Sequence, residues 1–146
     1  RMRFGLAVTL ASSLCLAACA PVAGEPASAA DQAASLGAPV TLKPGEVARV
    51  ASEQAQIRFE RVVADSRCPR DVQCIMAGEA TVRIRLTLRG QAERTLDLRT
   101  TPDGEQTTAE GYVVRLADLV PLAKAGERVK DADYRATLVL TAAPSK

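Results

Sequence analysis

Nine consecutive residues, Thr81-Val82-Arg83-Ile84-Arg85-Leu86-Thr87-Leu88-Arg89, alternate between polar and aliphatic without a break. In an extended chain successive side chains point to opposite faces. Val82, Ile84, Leu86 and Leu88 therefore share one face, and the threonines and arginines share the other. This is the pattern of a half-buried antiparallel strand; a helical face would repeat every three to four positions instead. Gly90-Gln91 marks a turn, and Arg94 to Arg99 alternates again through Leu96 and Leu98, so the two runs read as a hairpin.

The same period recurs from Pro39 onward. Further strands are expected at Val40–Leu42, Val47–Ala51, Gln56–Ala64, Tyr112–Leu116 and Tyr134–Thr141, the last with Tyr134, Ala136, Leu138 and Leu140 toward the core. Val62-Val63 breaks the alternation and predicts a bulge or a strand exit. Lys43-Pro44-Gly45-Glu46 and Pro102-Asp103-Gly104 read as turns, and Leu116–Ala125 as a short helical turn before Gly126. The fold class that follows is all-β. It is a single antiparallel β-sandwich of about seven strands over residues 39–146, immunoglobulin-like in general character, with a small β-barrel as the alternative.

Ahead of this region the chain changes character. Arg1-Met2-Arg3 precedes an apolar run from Phe4 to Ala18, with Met2 read as the initiator. A short basic segment and an apolar stretch too short to span a bilayer make a secretory signal over residues 1–18. Leu16-Ala17-Ala18-Cys19 resembles the lipobox of bacterial lipoproteins, with Leu at −3, small residues at −2 and −1, and Cys at +1. The resemblance implies diacylglyceryl transfer to the Cys19 sulfur, cleavage before Cys19 and acylation of the new amine with a palmitate-type chain. Several acyl chains make a stable anchor. Ala20, rather than Asp, follows the cysteine, which by the same resemblance favours the outer membrane, with the domain facing the periplasm. The competing reading is an ordinary secretory cut at Ala18-Cys19-Ala20. Residues 20–38 are rich in Ala, Pro, Ser, Gly and Gln and read as a flexible tether, because they bury too little to offset ordering.

Residues 1–18 hold two of the 19 basic residues and none of the 17 acidic ones, so the chain beyond them is balanced. That balance gives no ground for nucleic-acid binding. The chain has no His, which removes a Ser-His-acid triad and the commonest zinc ligand. Asp97, Asp103, Glu105, Asp131 and Asp133 match no calcium-loop spacing. The expectation is a non-enzyme with no metal and no cofactor apart from the covalent lipid on Cys19. Arg58, Arg83, Arg85, Arg89, Arg99, Arg115 and Arg135 face outward from the expected strands and could form a basic face. The favoured reading is compensation by Glu60, Glu93 and Asp97 across strands.

With Cys15 in the signal and Cys19 lipidated, only Cys68 and Cys74 remain, and a disulfide between them is the default in an oxidising compartment. They lie in Asp65-Ser66-Arg67-Cys68-Pro69-Arg70-Asp71-Val72-Gln73-Cys74-Ile75-Met76-Ala77-Gly78. The pattern Asp-Ser-Arg-Cys-Pro, four residues, Cys, two residues, Ala-Gly resembles a motif of small secreted or lipidated bacterial proteins of unassigned function. In that group the position of Met76 is often Trp. The resemblance implies an architecture and no reaction. Three readings of the loop stand. It is a structural staple with Asp65 and Arg67 pinning its backbone, a recognition loop, or a redox dithiol, the last poorly served by a spacing that is not Cys-x-x-Cys. As a recognition loop it would use Arg67, Pro69, Arg70, Asp71 and Met76 toward an envelope protein. The overall expectation is a lipid-anchored envelope protein with a binding or structural β-domain. The alternative is a periplasmic protease inhibitor presenting residues 67–78 through Arg67 or Arg70.

Overall fold

The computed structural model describes residues 31–101 and 105–144. The signal segment, Cys19, the tether up to residue 30 and the turn Pro102-Asp103-Gly104 lie outside the described residues. The strands are β1 (Asp31–Ala34), β2 (Pro39–Leu42), β3 (Val47–Val50), β4 (Ala55–Asp65), β5 (Ala80–Leu88), β6 (Arg94–Arg99), β7 (Gln106–Ala109), β8 (Tyr112–Val120) and β9 (Arg135–Ala142). Two short 3₁₀ turns, Ala51–Glu53 and Asp131–Asp133, complete the elements.

The strands form two sheets, ordered β1-β3-β4-β5-β6 and β2-β9-β8-β7. Every pairing is antiparallel except β1 with β3. The sheets do not close on each other, so the architecture is a sandwich and not a barrel. β3 to β6 run as a meander within one sheet, whereas in an immunoglobulin domain no four consecutive strands share a sheet.

The alternation of β5 has the expected consequence: Val82, Ile84 and Leu86 are fully buried and Leu88 nearly so. Phe59 and Ile57 from β4, Leu98 from β6, and Leu116, Leu138 and Leu140 from the opposite sheet complete the core. Tyr134, Ala136, Leu138 and Leu140 are buried as expected. In β4 the register against β5 shifts between Val62 and Ala64, where the broken alternation predicts it, and also between Phe59 and Arg61, where it does not.

Three expectations need correction. Leu116–Ala125 holds no helical turn; β8 runs straight through to Val120. Its register slips between Leu116 and Asp118, so Leu116 and Leu119 both reach the core. That three-residue spacing imitates a helical period. The ordered domain also begins before Pro39, because β1 lies inside the segment read as tether. β1 buries no side chain completely. It is held by pairing with β3 and by Arg49 Nε donating to Asp31 Oδ2 at 2.8 Å, features with no hydrophobic signal. The third is β7, which the expected strands omit. It meets β8 through Glu110-Gly111, both at positive φ (51° and 83°), the geometry of a two-residue hairpin turn.

Candidate functional site

The outward face of the larger sheet is compensated in part. Arg83 makes two bonds of 2.7 Å to Asp97, its direct cross-strand partner. Arg85 reaches Glu60 at 3.0 Å and Glu93 at 3.1 Å, and Arg99 reaches Glu105 at 3.3 Å. The hydrogen bond from Arg83, aided by its charge, outweighs desolvation and holds the Asp97 carboxyl below its ordinary value; the one from Arg85 does the same for Glu60. Arginines occupied in this way offer little to an anionic polymer; Arg58 and Arg61 stand exposed on the same sheet.

The distinctive site is the end of the sandwich where β4 hands over to β5. The connection closes at its base through Ser66. Its amide donates to the Glu79 carbonyl at 2.8 Å, and its Oγ accepts from the Glu79 amide at 3.2 Å. The two backbones come so close that a Cβ on Gly78 would lie 1.7 Å from the Ser66 carbonyl oxygen. Only glycine fits there.

Arg67 folds back over this base. Its Nε donates to Asp65 Oδ1 at 2.8 Å and its Nη2 to Asp65 Oδ2 at 2.6 Å. The same guanidinium donates to the carbonyls of Leu119 and Pro121, the latter at 2.8 Å, where β8 ends. Tyr134, just ahead of β9, donates its hydroxyl to Asp65 Oδ2 at 2.9 Å. One carboxylate thus gathers an arginine and a phenol and links the two sheets, with the Arg67 and Asp65 side chains only 10% and 15% exposed. Burial pushes the Asp65 carboxyl up, but the hydrogen bonds from Arg67 and Tyr134 together with the Arg67 charge overcome this and hold it low. Burial, then the bond to Asp65, pushes the Tyr134 phenol up to about 12.

Beyond the clip, Cys68 and Cys74 are bonded, with their Cα atoms 5.9 Å apart. The closed loop docks on residues 121–130. The Arg70 amide donates to the Ala123 carbonyl at 3.0 Å, and Asp71 Oδ1 accepts from the Ala125 amide at 2.8 Å. Beside the exposed Arg70, Asp71 and Gln73, the loop leaves apolar side chains in solvent: Val72 is 46% exposed, Met76 82% and Ile75 completely.

The residues expected to form a contact surface therefore divide. Met76 and the Arg70 side chain are exposed, and Pro69 is half-buried. Asp71 holds the neighbouring loop. Arg67 is not an exposed contact residue, since its guanidinium is committed to Asp65 and two carbonyls. Asp65 and Arg67 do pin the loop backbone, as the staple reading has it. Sequence reasoning missed Tyr134 as a partner of the clip, Ser66 and Gly78 as its base, and Ile75 as the most exposed large apolar side chain among the described residues. The signal for Tyr134 was its place in an apolar alternation, since a buried phenol needs an acceptor. Among the described residues no three or more Asp, Glu or Cys gather as a metal site would require. No protein-family model, curated protein or solved structure matches the chain.

Proposed function

We propose that this chain is a lipid-anchored protein of the bacterial cell envelope, a non-enzymatic binding module that works through the disulfide-loop end of its sandwich. The supporting observation is a division of labour within one loop. Asp65, Ser66, Arg67 and Gly78 fix its geometry, while Ile75 and Met76 stand in solvent. A constrained loop binds at a lower ordering cost than a free one, and rigid scaffolds commonly carry recognition on such loops. The anchor reading rests on Leu16-Ala17-Ala18-Cys19, and Ala20 after the cysteine favours the outer membrane, with the module facing the periplasm.

The test is a photoreactive residue at position 76 or at position 91, irradiated in native envelopes. Position 91 lies in the β5–β6 turn at the other end of the sandwich. Adducts of any class at 76 and none at 91 support the reading; equal adducts, or none at 76, overturn it. The second reading, protease inhibition, now rests on Arg70, whose side chain is exposed while its amide is fixed to Ala123. It requires Arg70→Ala to abolish inhibition of a trypsin-like protease.

A further inference from the structure

The loop tip is chemically unusual for a surface. Isolated exposed apolar residues are ordinary. Here Ile75 and Met76 are adjacent, entirely and 82% exposed, with Val72 in the same loop and Leu122 41% exposed on the segment against which it docks. The charges around them cancel: Arg70 is followed by Asp71, and residues 121–133 carry three basic and three acidic residues. Such a surface selects for apolar burial and against strong preference for either sign of charge.

The topology fixes which way this tip faces relative to the chain that enters the domain. β1 is parallel to β3, and Asp31 stands level with Val47, which stands level with Arg58. β4 continues from Arg58 to Asp65, and along β5 this is the stretch from Arg85 to Ala80. The loop base therefore lies five residues, about 17 Å, beyond Asp31. It lies on the side from which the chain enters β1. Eleven residues separate Cys19 from Asp31, a reach of at most about 40 Å. Bringing the opposite end of the sandwich to the surface that holds Cys19 would require the chain to run back past the domain.

We propose that the partner of the loop end is the bilayer itself: Ile75 and Met76 insert into the interfacial zone of the membrane that holds the lipid of Cys19, fixing the domain with its disulfide loop down. This rests on the anchor reading above. The tether makes the contact intramolecular, so a small apolar tip suffices where it would not hold a free protein.

The chain has no Trp, so a single introduced one reports its own surroundings. The full lipidated chain carrying M76W or Q91W is reconstituted in phosphatidylcholine vesicles with and without brominated acyl chains. The mass at Cys19 and co-flotation with vesicles are recorded for each. The expected result is flotation of both, a blue shift and roughly two-fold quenching at M76W, and neither at Q91W, as insertion of about 5–10 Å requires. I75W repeats the measurement should M76W not fold. Flotation with unquenched tip probes overturns bilayer docking and leaves the anchor standing. If the tip is unquenched on vesicles but shielded in native envelopes, a protein is the partner and the proposal fails. Absence of lipid on Cys19 and of flotation overturns both readings.

Discussion

Arg67→Ala is the substitution that separates a clip from a contact residue. It removes four hydrogen bonds from the guanidinium, two of them to Asp65. The Leu119 and Pro121 carbonyls can turn to water at the end of β8. The Asp65 carboxylate cannot do so as readily, because its side chain is 15% exposed, and only Tyr134 and its own loop's amide remain to it. Breaking a buried pair by removing one partner costs about 3–5 kcal/mol; partial exposure puts this case at the lower end, about 3 kcal/mol. That is a large part of the stability of a small domain. Urea unfolding followed by far-ultraviolet circular dichroism at neutral pH measures it, with the m-value unchanged if only stability has changed. The pH dependence adds an independent check. The Asp65 carboxyl is held below its ordinary value in the fold. Its contribution is therefore complete above the unfolded value of about 4 and is lost as pH falls through the lower folded value. The gap between wild type and variant must shrink in acid. A cost below about 0.5 kcal/mol, the scale of an ordinary surface change, or a gap that persists undiminished in acid, refutes the clip.

Three further outcomes follow from the same site. Tyr134→Phe costs about 2 kcal/mol through the lost bond to a charged acceptor. It also removes an alkaline transition. The phenol is raised to about 12 in the fold, so its contribution is complete below the unfolded value near 10 and is lost as pH rises through 12. Unfolding curves at pH 9 and pH 12 should therefore diverge more for wild type than for the variant. Gly78→Ala, whose Cβ would meet the Ser66 carbonyl at 1.7 Å, destabilises by about 3 kcal/mol. It also removes hydrogen-exchange protection at the Ser66 and Glu79 amides. Replacing both Cys68 and Cys74 by Ala costs about 2.4 kcal/mol in the chain-entropy description of so short a loop, measured by the same unfolding curves.

The fold was largely legible because its core strands alternate. β5, β6 and β9 announce themselves through residues such as Val82, Leu98 and Leu138. The elements that escaped are those whose stability is not written in hydrophobic period. β1 is an edge strand of Asp, Gln and Ala held by backbone pairing and an Arg49–Asp31 pair. β7 is a short run of polar residues fixed by its turn. In β8 a register slip lets Leu116 and Leu119 both face inward and so disguises a strand as a helical turn. At the site, the motif itself was visible, but the assignment of roles within it was not. Arginine in a loop reads equally as a recognition residue and as a structural fork. Only the position of the Leu119 and Pro121 carbonyls, more than fifty residues away in sequence, decides for Arg67. Met76 reads as a contact residue, but Ile75 reverses the usual inference from type to burial: a large apolar residue beside a disulfide would be assigned to a core, yet the short loop closed at Ser66–Glu79 carries it away from one.

The functional account depends first on the attachment of Cys19 to lipid. The direct measurement is the mass of the N-terminal peptide of the chain isolated from envelope membranes of a bacterium expressing the full sequence. The account predicts a peptide beginning at Cys19, carrying a diacylglyceryl thioether and an acylated amine, and absent from a Cys19→Ser variant. A peptide that runs through Cys19 with a free thiol, or that begins beyond it, contradicts the anchor and with it the membrane-facing role of the loop.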